Sequence, residues 1–184
     1  RDVGKPIPSL QGSDTQQKVI YIGTFSKSIA PSIRISYLAL PLSLLERYEQ
    51  VGRNFSCTVS RTDQKILQLF MERGYFERHL NRMRALYRGK QEVLTAELKQ
   101  IKGVRRIMGG RSGLHILLQM TGRRTEEELV GLAARAGVRV YPLSEYCIDE
   151  RTYEPTILLG YATMTEERIR EAVGLLKKAW EAAG

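Results

Sequence analysis

The chain has few cysteines and no long apolar run, and each scarcity excludes a class of protein. Cys57 and Cys147 are its only cysteines, so we expect neither a disulfide framework nor a cysteine-based metal site. That usage fits a reducing cytoplasm. No apolar stretch is long enough to span a bilayer, and the first residues do not form a signal peptide, so we expect no association with a membrane.

Charged residues are spread along the chain rather than gathered in blocks. The 184 residues include 29 Lys and Arg against 20 Asp and Glu, a formal net charge of +9. Such a charge fits nucleic acid, anionic small molecules or an acidic partner. Because there is no compact basic block, we do not expect this stretch itself to bind DNA. Hydrophobic residues make up 42% of the chain, which allows a packed core and argues against disorder.

A lysine stands shortly after a predicted buried strand. The apolar run of residues 19–22 predicts that strand, and Lys27 follows it within a short polar stretch. A lysine in such a place is costly unless its charge is neutralised or its amine is used covalently. The plain alternative is a lysine whose stem lies along the strand while its ammonium group reaches the surface.

Hydroxyl and guanidinium groups flank this lysine at fixed spacing. Thr24 and Ser26 alternate with Phe25, so their hydroxyls can face one side, and Arg34 follows Lys27 by seven positions. Arginine offers a two-pronged donor for a phosphate or a carboxylate. Together these groups suit a phosphorylated aldehyde, with Lys27 as the amine of a Schiff base and the other three groups as phosphate contacts.

The stretch closely resembles the cofactor-lysine segment of fold-type-I pyridoxal-phosphate enzymes. That family carries Ser/Thr-x-Ser-Lys and then an arginine seven or eight positions on, and this chain fills each place with Thr24, Ser26, Lys27 and Arg34. The resemblance implies pyridoxal 5'-phosphate as the cofactor and Lys27 as the catalytic Schiff-base lysine. It also implies that all four residues bind the cofactor, and it implies no metal.

Patterns along the rest of the chain predict an α/β architecture. Residues 34–40 form a second apolar run, and helices are predicted from 42 to 52, after Ser60, and from 76 to 101. Beyond Gly103 the order is β-β-α-β-β-α, and we expect both helices to cover one sheet face. The predicted strands are 104–108, 114–120, 138–141 and 156–161, and the helices begin after Thr125 and Thr165.

This order resembles the C-terminal part of the fold-type-I aminotransferase fold. The resemblance implies that residues 1–50 end the large pyridoxal-phosphate-binding domain, 51–102 form bridging helices and 103–184 form the small α/β domain. Two early strands are too few for an independent sheet, so we expect them to belong to a larger sheet with further strands upstream. The chain is therefore expected to be a fragment that lacks the ring-binding half of the cofactor site.

Three further segments resemble the MocR-type regulators more particularly. They are the run from Phe76 to Arg84 followed by Tyr87, the run from Ser112 to His115, and the run from Val140 to Ser144. In that family a GntR-like winged-helix DNA-binding domain is fused to an aminotransferase-like domain. The resemblance implies a cytoplasmic homodimer that senses a small amine or amino acid and binds DNA through a winged helix absent from this chain.

Two alternatives to the amine-sensing regulator stay open. Kynurenine/2-aminoadipate-type aminotransferases share much of the pattern, which makes a class I/II transaminase the competing function and leaves enzymatic activity undecided. Those enzymes usually hold the substrate carboxylate with an arginine on the strand before the last helix, and Thr156–Tyr161 contains none. Arg111, Arg139 or Arg151 could compensate, and the sequence does not choose among them. The second alternative is a domain that binds no cofactor and serves only dimerisation.

Overall fold

The structure, a computed structural model, describes residues 8–109, 114–148 and 154–182. It combines helices and antiparallel strands, which confirms the predicted α/β class. The strands are Tyr21–Thr24 (β1), Ser36–Ala39 (β2), Val104–Met108 (β3), His115–Met120 (β4), Tyr141–Pro142 (β5) and Thr156–Gly160 (β6). The helices are Leu42–Gly52 (α1), Arg61–Glu72 (α2), Tyr75–Leu98 (α3), Glu126–Arg135 (α4) and Glu166–Glu181 (α5). None of the helices in these ranges is long and apolar enough to cross a bilayer.

The chain divides into two compact units, and the division falls inside α3, between Met83 and Arg84. The first unit holds β1, β2, α1 and α2, and the second holds the remaining strands with α4 and α5. The three-part division expected at residues 50 and 102 concerns the domains of an aminotransferase, and it stays a prediction.

In the first unit, β1 and β2 form an antiparallel ribbon of two strands. Tyr21 pairs with Ala39, and the loop of residues 25–35 joins the other ends of the two strands. β1 starts two residues later than predicted, and the prediction that it is buried is wrong for this chain, since Ile22 is 70% exposed. A ribbon of two strands gives each strand a single neighbour, so its side chains find little cover within the sheet itself.

Side-chain caps explain where three of the helices begin. Ser60 Oγ accepts hydrogen bonds from two backbone N–H groups in the first turn of α2. Thr125 and Glu128 form a reciprocal capping box at the start of α4, and Thr165 caps α5. Each cap satisfies N–H groups that have no partner inside the helix, so these starting points lie where the sequence predicted them.

In the second unit, four antiparallel strands form one sheet in the order β3-β4-β6-β5. The inner strand β4 alternates between buried and less buried side chains, with Ile116, Leu118 and Met120 in the core. The predicted third strand, residues 138–141, is wrong in extent, because β5 contains only Tyr141 and Pro142. Proline fits this place because an edge strand has backbone groups that need no partner within the sheet.

One apolar core holds the second unit together. α4 and α5 contribute to the same core as β4 and β6, in agreement with two helices over one sheet face. Trp180 of α5 is buried, and its indole Nε1 donates a hydrogen bond to the Leu129 carbonyl of α4 at 2.9 Å. The C-terminal turns of α3 add Leu94 and Leu98 to this core.

Candidate functional site

The loop between β1 and β2 carries or adjoins all four predicted site residues. Two backbone hydrogen bonds shape it: Phe25 N–H donates to the Ile35 carbonyl at 3.0 Å, and Ile29 N–H donates to the Phe25 carbonyl at 2.8 Å. The first bond continues the ribbon by one more cross-strand contact, and the second closes a helical turn around the predicted lysine. The loop is therefore fixed at its base and at its first turn.

The two predicted hydroxyl groups hold the carbonyl groups on either side of Arg34. Ser26 Oγ donates to the Ile33 carbonyl at 2.5 Å, and Thr24 Oγ1 donates to the Ile35 carbonyl at 3.4 Å. The fold thus brings these two side chains against the backbone of the predicted phosphate-binding arginine. Because a hydroxyl has one hydrogen to donate, each must turn away from its carbonyl before it can donate to a phosphate.

The two predicted cations have no side-chain partner among the residues that the structure describes. Lys27 and Arg34 have exposed side chains, and neither makes a hydrogen bond or an ion pair with another residue in the described ranges. An unpaired primary amine can react with an aldehyde, and an unpaired guanidinium can bind a phosphate dianion through two N–H donors. The donor set on this loop therefore fits pyridoxal phosphate.

An aromatic cluster supports the ribbon next to the loop. The ring centroid of Phe25 lies 5.3 Å from that of Tyr37 and 6.0 Å from that of Phe76. An added Cβ at Gly23 would collide with the Tyr37 ring, so a larger residue here would displace that ring. A hydrogen bond with Tyr21, together with burial, raises the pKa of Tyr37. The sequence showed Gly23 only as the end of an apolar run, and its role depends on the facing strand.

Arg34 also lines a pocket of about 560 Å³ that sequence reasoning missed. One side of the pocket is the end of the loop, and the other is the N-terminal half of α2 with Ile66 and Leu67. Asp63, in the first turn of α2, lines the same pocket. No spacing in the sequence marks this pocket, because its walls come from two separate segments of the first unit.

The arginine for a substrate carboxylate is also missing from the described part of β6, as the sequence indicated. Of the three candidates to replace it, Arg111 and Arg151 lie outside the described residues. Arg139 is exposed, and its guanidinium carbon lies 5.8 Å from the ring centroid of Tyr141. Arg139 therefore has an aromatic neighbour among the described residues. Which of the three arginines would bind a substrate carboxylate stays a prediction.

Transcriptional regulators are among the known proteins similar to this chain, although no family model matches it. The HTH-type transcriptional regulator YhdI of Bacillus subtilis is 42% identical over 178 residues, covering 96% of this chain and 38% of YhdI. The probable rhizopine catabolism regulatory protein MocR of Rhizobium meliloti is 34% identical over 179 residues, covering 96% of this chain and 36% of MocR. The chain thus spans under two fifths of the length of these two relatives.

The solved structures show which fold this is. LysN, the alpha-aminoadipate aminotransferase of Thermus thermophilus complexed with N-(5'-phosphopyridoxyl)-L-leucine, matches with a TM-score of 0.79 at 24% identity. The match covers 98% of this chain and 47% of LysN, so the fold is that of part of a fold-type-I aminotransferase. With this fold and the identity to YhdI and MocR, the chain resembles part of the MocR-type transcriptional regulators, as the sequence predicted, and it has an aminotransferase-like fold.

Proposed function

We propose that the chain is the effector-sensing part of a pyridoxal-phosphate-binding, aminotransferase-like domain in a transcriptional regulator. The observation that carries the proposal is that one hydrogen-bonded loop of this MocR-like chain presents an amine, Lys27, and a guanidinium, Arg34, both unpaired within the described ranges. DNA binding would belong to a winged-helix domain outside this chain, and the intact protein would act as a cytoplasmic homodimer.

The proposed roles follow from the chemistry of each side chain. Pyridoxal phosphate supplies an aldehyde that reacts reversibly with primary amines. Lys27 Nζ would hold the cofactor covalently, and Arg34 would bind its phosphate through two N–H donors. Thr24 and Ser26 would add hydroxyl donors once they turn from the carbonyl groups that they now hold.

Sensing would follow from competition at Lys27. A primary amine that enters the site competes with the Lys27 amine for the cofactor, so the effector releases this side chain. An effector shifts a conformational equilibrium only by the difference in its affinity for the two states. Exchange at Lys27 would supply that difference, and the DNA-binding domain would respond to it.

Operator binding by the intact protein tests this proposal. We expect Lys27→Ala to abolish the amine-dependent change in DNA binding while basal DNA binding stays largely intact, because Lys27 would contact the cofactor and not the DNA. Arg34→Lys should weaken cofactor retention, since lysine does not replace a two-pronged donor. Arg47→Lys, an exposed position on α1, is the matched control. A full amine response in Lys27→Ala would contradict the proposed role.

The second candidate is a pyridoxal-phosphate-dependent aminotransferase of the kynurenine/2-aminoadipate type. The shared fold with LysN favours it, and Lys27 would then also carry the proton between two carbons. The lack of an arginine on β6 argues against transamination of an ordinary amino acid. Rapid turnover of amino acids with keto acids, together with no operator binding, would establish the enzyme and overturn the regulator.

A further inference from the structure

The pocket beside Arg34 has the size and the apolar wall of a small-molecule site. Its volume of about 560 Å³ falls within the range of roughly 300–1,000 Å³ that ligand pockets occupy. Three side chains of α2, Ile66, Leu67 and Phe70, line it together with loop residues Ile33 and Ile35. Ile66 is 61% exposed, so much of its apolar surface is left uncovered by the described residues.

Two opposite charges line this apolar pocket without pairing. Arg34 and Asp63 both border it, and neither side chain makes an ion pair or a hydrogen bond with any residue of the described ranges. The backbone N–H of Asp63 donates to Ser60 Oγ, which leaves the carboxylate available. Opposite charges that line one pocket without pairing can each engage the opposite charge of a ligand that carries both.

We propose that this pocket binds an apolar α-amino acid. Its carboxylate would accept hydrogen bonds from the Arg34 guanidinium, its ammonium group would donate to the Asp63 carboxylate, and its side chain would contact Leu67 and the rest of the α2 wall. Ser32 and Thr58 also line the pocket and offer hydroxyl groups for the remaining polar atoms. The ligand class is thus a zwitterion with a hydrocarbon side chain.

This pocket would supply the amino-acid recognition that the proposed regulator needs. Binding of the ligand does not depend on the proposed function, but its role as an effector does. A regulator that responds to amino acids needs a way to recognise them, and β6 lacks the arginine that aminotransferases use. Arg34 can serve both this pocket and a phosphate, because a guanidinium has five N–H donors and a phosphate on one edge leaves others free. Binding to the pocket should therefore occur without pyridoxal phosphate.

Titration of the 184-residue chain with L-leucine and three analogues tests each part of the recognition. Isocaproate lacks the ammonium group, isoamylamine lacks the carboxylate, and glycine lacks the apolar side chain. Methyl resonances of Ile66 and Leu67, followed by NMR, report binding at the pocket wall. Because both charged residues are exposed, we expect each missing group to weaken binding by about tenfold relative to leucine.

Substitutions then assign each charge to its residue. In Arg34→Gln, leucine should bind about tenfold more weakly and no better than isoamylamine, because the carboxylate has lost its partner. In Asp63→Asn, leucine should bind no better than isocaproate. Leu67→Trp should fill the pocket and abolish binding of all the ligands. Arg47→Gln and Glu49→Gln on α1 repeat the two charge changes away from the pocket and should bind leucine like the wild type.

Circular dichroism shows whether each variant is folded, and three results would overturn the proposal. The first is equal binding of leucine and its analogues, the second is full leucine affinity in both Arg34→Gln and Asp63→Asn, and the third is no response at Ile66 or Leu67. These titrations use neither cofactor nor DNA. Their failure therefore leaves the regulator proposal standing, and failure of the operator experiment leaves the pocket result standing.

Discussion

The two units of the chain differ in how much of their apolar surface they bury. All sixteen hydrophobic side chains that are buried in the described residues lie between positions 94 and 180. Of the nineteen large hydrophobic side chains that are exposed, fourteen lie between positions 10 and 75. The second unit therefore has its own core, and the first leaves most of its apolar side chains in contact with solvent.

Two helices with similar apolar spacing, one in each unit, differ in how much of their apolar surface is buried. α1 carries Leu42, Leu45 and Tyr48 at helical spacing, yet none of its residues is buried. α5 has the same kind of spacing and buries four residues, among them Leu176 and Trp180. Apolar periodicity thus predicts that a helix has an apolar face, and it does not tell whether the same chain supplies the cover for that face.

The largest expected contrast comes from removing one leucine side chain in each unit. Leu98 is fully buried, so Leu98→Ala should lower the free energy of unfolding by about 2–5 kcal/mol, through lost burial and a cavity. Leu38 on β2 is 51% exposed, so Leu38→Ala should cost no more than about 0.5 kcal/mol. Urea unfolding of both variants measures the contrast, and equal losses would show that the two units share one core.

Substitution of a buried lysine should give the next largest loss of stability. Lys90 of α3 is 9% exposed, and its Nζ donates to the Ala162 carbonyl, between β6 and α5, at 2.8 Å. Lys90→Met should leave that carbonyl without its donor and lower the free energy of unfolding by about 1–3 kcal/mol. The control is Lys99→Met at an exposed position of the same region, where the change should stay within about 0.5 kcal/mol. Similar losses of unfolding free energy in both variants would show that the Lys90–Ala162 hydrogen bond does not stabilise the fold.

Removal of a helix N-cap can be compared between the two units. Thr125→Ala removes the capping box of α4 and should cost about 0.5–2 kcal/mol in urea unfolding, because α4 belongs to the packed core. Ser60→Ala removes the cap of α2, a helix without buried residues, and should change the main unfolding transition less. A larger effect of Ser60→Ala would show that α2 is needed for the cooperative unit.

Two tyrosines give the smallest expected effect, which appears only at alkaline pH. Burial and the nearby Tyr87 raise the pKa of Tyr161 above its ordinary value of 10.0. Between the unfolded and the folded pKa the native state keeps a proton that the unfolded chain has lost, so stability is full below pH 10 and falls as the pH rises above it. Tyr161→Phe should flatten this fall.

The control for Tyr161→Phe is Tyr37→Phe in the exposed ribbon. The pKa of Tyr37 is raised mainly by its hydrogen bond with Tyr21, and its side chain is 43% exposed. Tyr37→Phe should therefore change the alkaline part of the stability curve less than Tyr161→Phe does. Unfolding free energies measured between pH 8 and pH 11 compare the two, and the reverse order would contradict the stronger burial of Tyr161.

Much of the fold could be predicted because its signals are local. Ser60, Thr125 and Thr165 begin helices in the structure as predicted, since a hydroxyl at the N-cap satisfies N–H groups within the next turn. The predictions failed where neighbouring strands decide the outcome. β5 contains two residues because only Tyr141 and Pro142 pair with β6, and no pattern within residues 138–141 reveals that partner.

The order of residues alone sets which chemical groups are neighbours along the chain. Thr24, Ser26, Lys27 and Arg34 keep their spacing in any conformation because covalent bonds fix it, and that spacing was enough to predict the candidate site. Folding brings the Ser26 hydroxyl to a carbonyl next to Arg34 and places Asp63 at the same pocket as Arg34. Such contacts join segments that meet only when the chain folds back on itself, so no spacing along the sequence records them.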